Sequence, residues 1–211
     1  MTWPLSRQVE LTLNEVEGLI PPEVGLYLAH QASKVEAPNW IVNIGIYKGK
    51  SIGYLCAGAA AGVPVYGIDP WDLPDNASGR FGYAEMTTRE AAFENIRKMQ
   101  EVGVIRGDLK PGDHLVIEQN FSTKVAVRWD NPVGLIFIDG DHRYQSVLDD
   151  CLAWAPYVIP GGMMILDDWG TAKNPGVERA ADRFVRLFDI PYRVEVERLA
   201  VFEIPETVNG F

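Results

Sequence analysis

Two short stretches of this 211-residue chain gather side chains capable of polar chemistry. FIDGDH carries Asp139, Asp141 and His142, and LDDW carries the adjacent Asp167 and Asp168. Each follows an apolar run, GLIFI at 134–138 and MMIL at 163–166, that reads as a buried strand. The acidic residues therefore fall at strand carboxyl ends, where parallel sheets bind their ligands. Four carboxylates on one sheet edge would raise one another's pKa values unless a cation or a hydrogen-bond donor offset them. A hard divalent ion with oxygen ligands is the economical solution, and Asp139, Asp167 and Asp168 are the first choices to hold Mg²⁺ or another divalent cation. The competing explanation is that these residues cap helices and pair with Arg143 or Lys173. His142, three residues past Asp139, could take a proton from a hydroxyl near neutral pH, since an unperturbed imidazole titrates at about 6.5. His30 and His114 read as structural or solvated.

A second group lies in NIGIYKGKS at 43–51 and VYGIDPW at 65–71. Asn43 and Gly45 end one predicted strand, and Gly49 and Ser51 open a helix, so small residues let a ligand approach outward-pointing amides. The spacing is GxxxG rather than GxGxxG, which weighs against a dinucleotide. Asp69, ending the next strand, is placed to accept hydrogen bonds from two ribose hydroxyls. Together they suggest an adenosine-type ligand; the plainer alternative is a tight turn with a helix-capping Asp. Asp108, ending a predicted strand VIRGD at 104–108, could accept from an adenine amino group or cap a turn.

The elements that must position these residues follow from periodicity. A polar leader occupies 1–20, and a first helix is expected over 21–35. NWIVNIGI at 39–46 reads as a buried strand, 51–60 as a helix and 63–69 as the next strand. Strands separated by single helices imply parallel pairing with right-handed crossovers. Residues 72–90 form a segment longer than most connections and, with Phe81 and Tyr83, are a candidate substrate lid together with the leader and its Trp3. Ala92, Ile96 and Met99 line one helix face, Val147, Leu148, Cys151 and Leu152 another, and 177–188 a third. YRVEVERLAVFEIP alternates like an antiparallel hairpin. The expected fold is α/β: a single domain over 1–211 with a Rossmann-like, doubly wound, mostly parallel sheet, helices on both faces and an antiparallel C-terminal edge.

Composition narrows the partners. Lys and Arg number 19 against 29 for Asp and Glu, a net charge of −10 that repels a phosphate backbone, so nucleic acid is not expected. The most apolar stretch, 52–68, is interrupted by glycines and Pro64 and is too short for a membrane span. The N-terminus does not read as a secretion signal, which places the product in the cytoplasm. Cys56 and Cys151 sit in apolar contexts without a CxxC pair and read as buried reduced thiols.

On these motifs the sequence resembles the class I S-adenosylmethionine-dependent methyltransferases, in particular the small metal-dependent O-methyltransferases of the catechol, caffeoyl-coenzyme A and antibiotic-sugar types. The likeness covers about 21–205 and is most specific over 138–169, where D-G-D-H, a helix, a P-G-G turn and an acidic pair follow in order. The resemblance implies that Gly45 and Gly49 lie under the methionine part of S-adenosylmethionine, that Asp69 holds the ribose, and that Trp71 and Asp108 flank the adenosine. It assigns Asp139, Asp167 and Asp168 to the cation and His142 to the general base. One departure is Asn43, where the family's first strand usually ends in an acidic residue, so the contact with the cofactor's amino end is expected to be weaker or routed through water. The implied activity is methyl transfer to a hydroxyl of a small metabolite, with the metal positioning the acceptor. The alternatives weighed are a metal-independent methyltransferase, a metal-dependent hydrolase, an NAD-dependent oxidoreductase and an inactive binding module. A homodimer could form through the C-terminal strands, although nothing in the sequence demands it.

Overall fold

The computed structural model describes residues 5–71, 87–107 and 114–206. Among these, seven strands make one sheet: β1 (Trp40–Ile44), β2 (Val65–Ile68), β3 (Leu115–Glu118), β4 (Val133–Ile138), β5 (Val158–Leu166), β6 (Tyr192–Glu195) and β7 (Leu199–Glu203). Their order is β3-β2-β1-β4-β5-β7-β6, with the first five parallel and the last two antiparallel. The order reverses between β1 and β4, which opens a crevice at their carboxyl ends. The doubly wound sheet with an antiparallel edge is the one expected.

Alternation along the strands divides the core. Ile41, Leu135, Phe137 and Ile165 face one apolar cluster, while Val42, Ile136, Ile138 and Met164 face the other. The first cluster is covered by α1 (Arg7–Glu15), α2 (Pro22–Ala32), α3 (Lys50–Gly58) and α4 (Thr87–Glu101). The second is covered by α5 (Ser122–Ala126), α6 (Tyr144–Trp154) and α7 (Pro175–Phe188). Helices α2 and α3 pack at backbone distance: a Cβ on Gly58 would stand 2.0 Å from the Ala29 carbonyl oxygen. Cys56 and Cys151 are buried free thiols on opposite faces of the sheet, so they cannot pair. No helix among the described residues is long and apolar enough to cross a membrane.

Two expectations are corrected. The third strand is LVIE at Leu115–Glu118, not VIRGD at 104–108. The amides of Val104 and Ile105 both donate to the Met99 carbonyl and close the end of α4, so they are not free to join a ladder. Residues 104–107 form no strand, and Asp108 itself lies outside the described residues. Residues 7–15 of the supposed leader form α1, whose N-cap Ser6 accepts from the Val9 amide and whose Val9 and Leu13 are buried. Only Val9 and Leu13 are buried in a mostly polar segment, so its helical period is faint in the sequence. Of the proposed lid, 87–90 begin α4, while Trp3, Phe81 and Tyr83 lie outside the described residues.

Candidate active site

The residue that follows each central strand continues the ladder by one hydrogen bond. The Asp69 amide donates to Glu118, that of Gly45 to Ile68, that of Asp139 to Ile44 and that of Asp167 to Ile138, at 2.8–3.2 Å. Parallel register thus sets Asp69, Gly45, Asp139 and Asp167 side by side along one lip, bordering a cavity of about 330 Å³.

On the β2 side, Asp69 clasps the glycine loop. Its Oδ2 accepts the amides of Ile46 (2.7 Å) and Tyr47 (2.9 Å), and its Oδ1 accepts that of Trp71 (2.7 Å). Trp71 Nε1 in turn donates to the Tyr47 carbonyl at 3.1 Å. Burial raises the Asp69 pKa, opposed by these backbone donors. Gly45 adopts a φ of 86°, and a Cβ there would meet the Asp139 carbonyl oxygen at 2.1 Å. Gly49 at φ 89° is the N-cap of α3, and Ser51 lines the cavity from its first turn. Asn43 is fully buried; its Nδ2 donates to the Gly45 carbonyl at 2.7 Å, while its Oδ1 has no partner among the described residues. It shapes the loop from beneath.

On the β4 and β5 side the acidic residues converge. His142 Nε2 lies 3.3 Å from Asp139 Oδ1, and its Nδ1 lies 3.7 Å from Asp168 Oδ2. Burial, then the charge of Asp167, push Asp139 up to about 7. Burial alone would lower the His142 pKa, but Asp139, Asp168 and Asp167 outweigh it and hold it above its usual value. Asp141 turns aside to Ser146 Oγ (2.7 Å) and to the Arg143 side chain; these hold it below the usual carboxylate range against the effect of burial.

The cation found at this centre is a side chain. Arg198 donates from Nε to Asp167 Oδ1 at 2.9 Å and from Nη2 to Asp167 Oδ2 at 2.6 Å, and Nη2 also contacts Asp168 Oδ1. Asn174 Nδ2 takes the other oxygen of Asp168. All four oxygens of the acidic pair therefore have protein donors, and Asp139 Oδ1 faces His142. Among the described residues no group of three or more His, Cys, Asp or Glu is arranged to hold a metal ion. Asp139, Asp167 and Asp168 are brought together, yet as their partners stand they do not fit a divalent cation. Arg143 pairs with Asp141, and Arg198 rather than Lys173 pairs with the acidic doublet.

Residues 42–169 match a family described as a methyltransferase domain. The chain belongs to that methyltransferase family. Solved structures sharing the fold include a Corynebacterium glutamicum protein, 17% identical over 95% of this chain and 91% of that one, TM-score 0.66. An O-methyltransferase from Bacillus cereus in complex with SAH is 18% identical over 95% and 90%, TM-score 0.59. The TDP-rhamnose 3'-O-methyltransferase of calicheamicin biosynthesis is 16% identical over 96% of each chain, TM-score 0.57. A protein of Acanthamoeba polyphaga mimivirus is 35% identical over 71 residues, a match spanning 31% of this chain and 32% of the viral one.

The remaining wall of this methyltransferase's cavity depends on β3 lying at Leu115–Glu118, which local composition alone does not reveal. Phe121, Ser122 and Thr123 follow β3 and line the cavity, and Asp150 of α6, 6% exposed, accepts the Ser122 hydroxyl. Burial pushes Asp150 up to about 7. Gly18, Leu19 and Ile20, between α1 and α2, also line the cavity. Arg198 was also missed; its signal was the register. Leu166 pairs with Ala200 in the antiparallel ladder, and the Trp169 amide donates to the Arg198 carbonyl at 2.9 Å, which brings Arg198 beside the acidic doublet.

Proposed function

We propose that this methyltransferase moves the methyl group of S-adenosylmethionine to a hydroxyl of a small metabolite, with His142 as general base. The observation that carries the reading is one cavity bordered by both the glycine loop clasped by Asp69 and the Asp139–His142 pair. In this reading Gly45, Gly49 and Ser51 receive the methionine part, and Asp69 uses its one remaining lone pair, on Oδ1, for a ribose hydroxyl. Trp71 covers that end, and Phe121 and Ser122 face the adenosine side. Asn43 acts only through the Gly45 carbonyl.

Methyl transfer from a sulfonium is an in-line displacement, so alignment of the acceptor oxygen contributes much of the rate. The tautomer that donates Nε2–H to Asp139 leaves His142 Nδ1 as the proton acceptor; at 3.7 Å from Asp168 it is beyond hydrogen-bonding distance. Asp139 then stabilises the imidazolium that forms. A divalent ion bound here would supply Lewis acidity, but Arg198 and Asn174 occupy the oxygens it needs, and no step is assigned to it.

Two measurements test the reading. S-adenosylhomocysteine at about a hundred times its Kd should add about 2.7 kcal/mol of stability in a thermal melt, with no shift from NADH. With S-adenosylmethionine and a panel of small hydroxylated acceptors, S-adenosylhomocysteine should accumulate together with a product heavier by one methylene. Absence of any thermal shift would overturn the donor assignment. A product methylated on nitrogen or carbon would overturn the acceptor assignment.

A further inference from the structure

We infer that Arg198 is a built-in cation that takes the place of a divalent metal between Asp167 and Asp168, so that this site works without a bound ion. The catalytic half of this inference rests on the reading above; the exclusion of metal does not.

The geometry is that of a fork on a carboxylate. Nε and Nη2 of Arg198 meet the two oxygens of Asp167 at 2.9 and 2.6 Å, and the same Nη2 reaches Asp168. Asp167 is 2% exposed, so its charge needs a partner inside the protein. A guanidinium supplies that charge permanently, because it does not deprotonate in proteins. A divalent ion would have to displace it from both carboxylates and then sit against the displaced positive charge.

Arg198 is also held from behind. The turn joining β6 to β7 places Val196 at φ 51° and Glu197 at φ 58°, left-handed conformations that a β-branched residue rarely adopts. Such strain persists only where the surroundings impose it. Here the Arg198 amide donates to the Glu195 carbonyl, and the Arg198 carbonyl accepts from Trp169 in the residue run that follows β5. The side chain is 24% exposed and is anchored on the acidic doublet rather than extended into solvent.

The test is a titration of the full chain with Mn²⁺, following loss of the free-ion paramagnetic signal, in wild type, Arg198→Ala and Arg198→Gln. Wild type should bind more weakly than about 1 mM, the range of poorly organised cation sites. At least one neutral variant should bind roughly tenfold or more tightly, because a unit positive charge has been removed from within a few ångströms of the ion. Adding Asp167→Asn to that variant should abolish the gain. Circular dichroism identifies which variant is folded, and Arg198→Gln retains hydrogen-bond donors if the alanine variant is not. Wild-type turnover should be unchanged by chelator, while the folded variant should become sensitive to added Mn²⁺. Micromolar binding by wild type, or a folded neutral variant that binds no better, would overturn the inference. Failure to find methyl transfer in any variant would undercut the functional reading and leave the Mn²⁺ comparison intact.

Discussion

The amide of Asp139 donates to the carbonyl of Ile44 at 2.8 Å, which fixes the first residue after β4 against the last residue of β1. The chain on the β1 side can pass this point only as glycine, since a Cβ on Gly45 would lie 2.1 Å from the Asp139 carbonyl oxygen. Gly45→Ala should therefore damage both halves of the site at once. With the φ of 86° added to that clash, a loss of about 2 kcal/mol or more is expected. Thermal melts with and without S-adenosylhomocysteine should show a lower Tm and a smaller ligand-induced shift.

Replacement of His142 by Ala should lower kcat by about 10²–10⁴-fold, the usual worth of a positioned general base. S-adenosylhomocysteine affinity, read by calorimetric titration, should stay within about twofold, since the imidazole faces the acidic end of the cavity. An equal loss in binding would assign His142 to the cofactor instead.

The same histidine sets a pH dependence. Its pKa is raised in the folded state, so its stabilising contribution is present below the unfolded value of about 6.5 and is lost as pH rises through the higher folded value. Base catalysis needs the deprotonated form, so kcat should rise over that same window. Asp139→Asn should move the rise to lower pH, because it removes a carboxylate that favours the imidazolium. A flat profile from pH 6 to about 9 would count against the base assignment.

Asp150 adds a stability dependence of the same sign. Burial lifts its carboxyl from 3.8 to about 7, so it favours folding below about pH 4 and progressively less as pH rises through 7. Asp150→Asn keeps an acceptor for Ser122 and should be more stable than wild type at pH 8 but not at pH 4. At about 1.4 kcal/mol per pH unit across that window, the difference amounts to a few kcal/mol in urea midpoints.

Helix α1 supplies a fifth measurement. Leu13 is fully buried against the face covered by α3, and Leu13→Ala should cost about 2–5 kcal/mol. A loss under about 0.5 kcal/mol would return residues 7–15 to the status of a dispensable leader.

The chain itself announced the strand-end chemistry. GLIFI and MMIL are short, apolar and bounded, so their buried-strand character and the position of Asp139, His142, Asp167 and Asp168 just past them follow from local composition. Gly45 and Asp69 were legible for the same reason, although only the structure shows Asp69 spending both oxygens on backbone amides. What local pattern could not decide was pairing. VIRGD and LVIE are both credible strands, and the choice fell to LVIE because Val104 and Ile105 give their amides to the end of α4. Arg198 lies thirty residues beyond Asp168 along the chain, in a turn whose left-handed Val196 and Glu197 no propensity would suggest. Only the antiparallel register of β7 on β5 brings its guanidinium onto the acidic doublet. A carboxylate at a strand end signals a need for positive charge, and the sequence states that need; which cation answers it is a long-range contact, fixed by how the sheet closes.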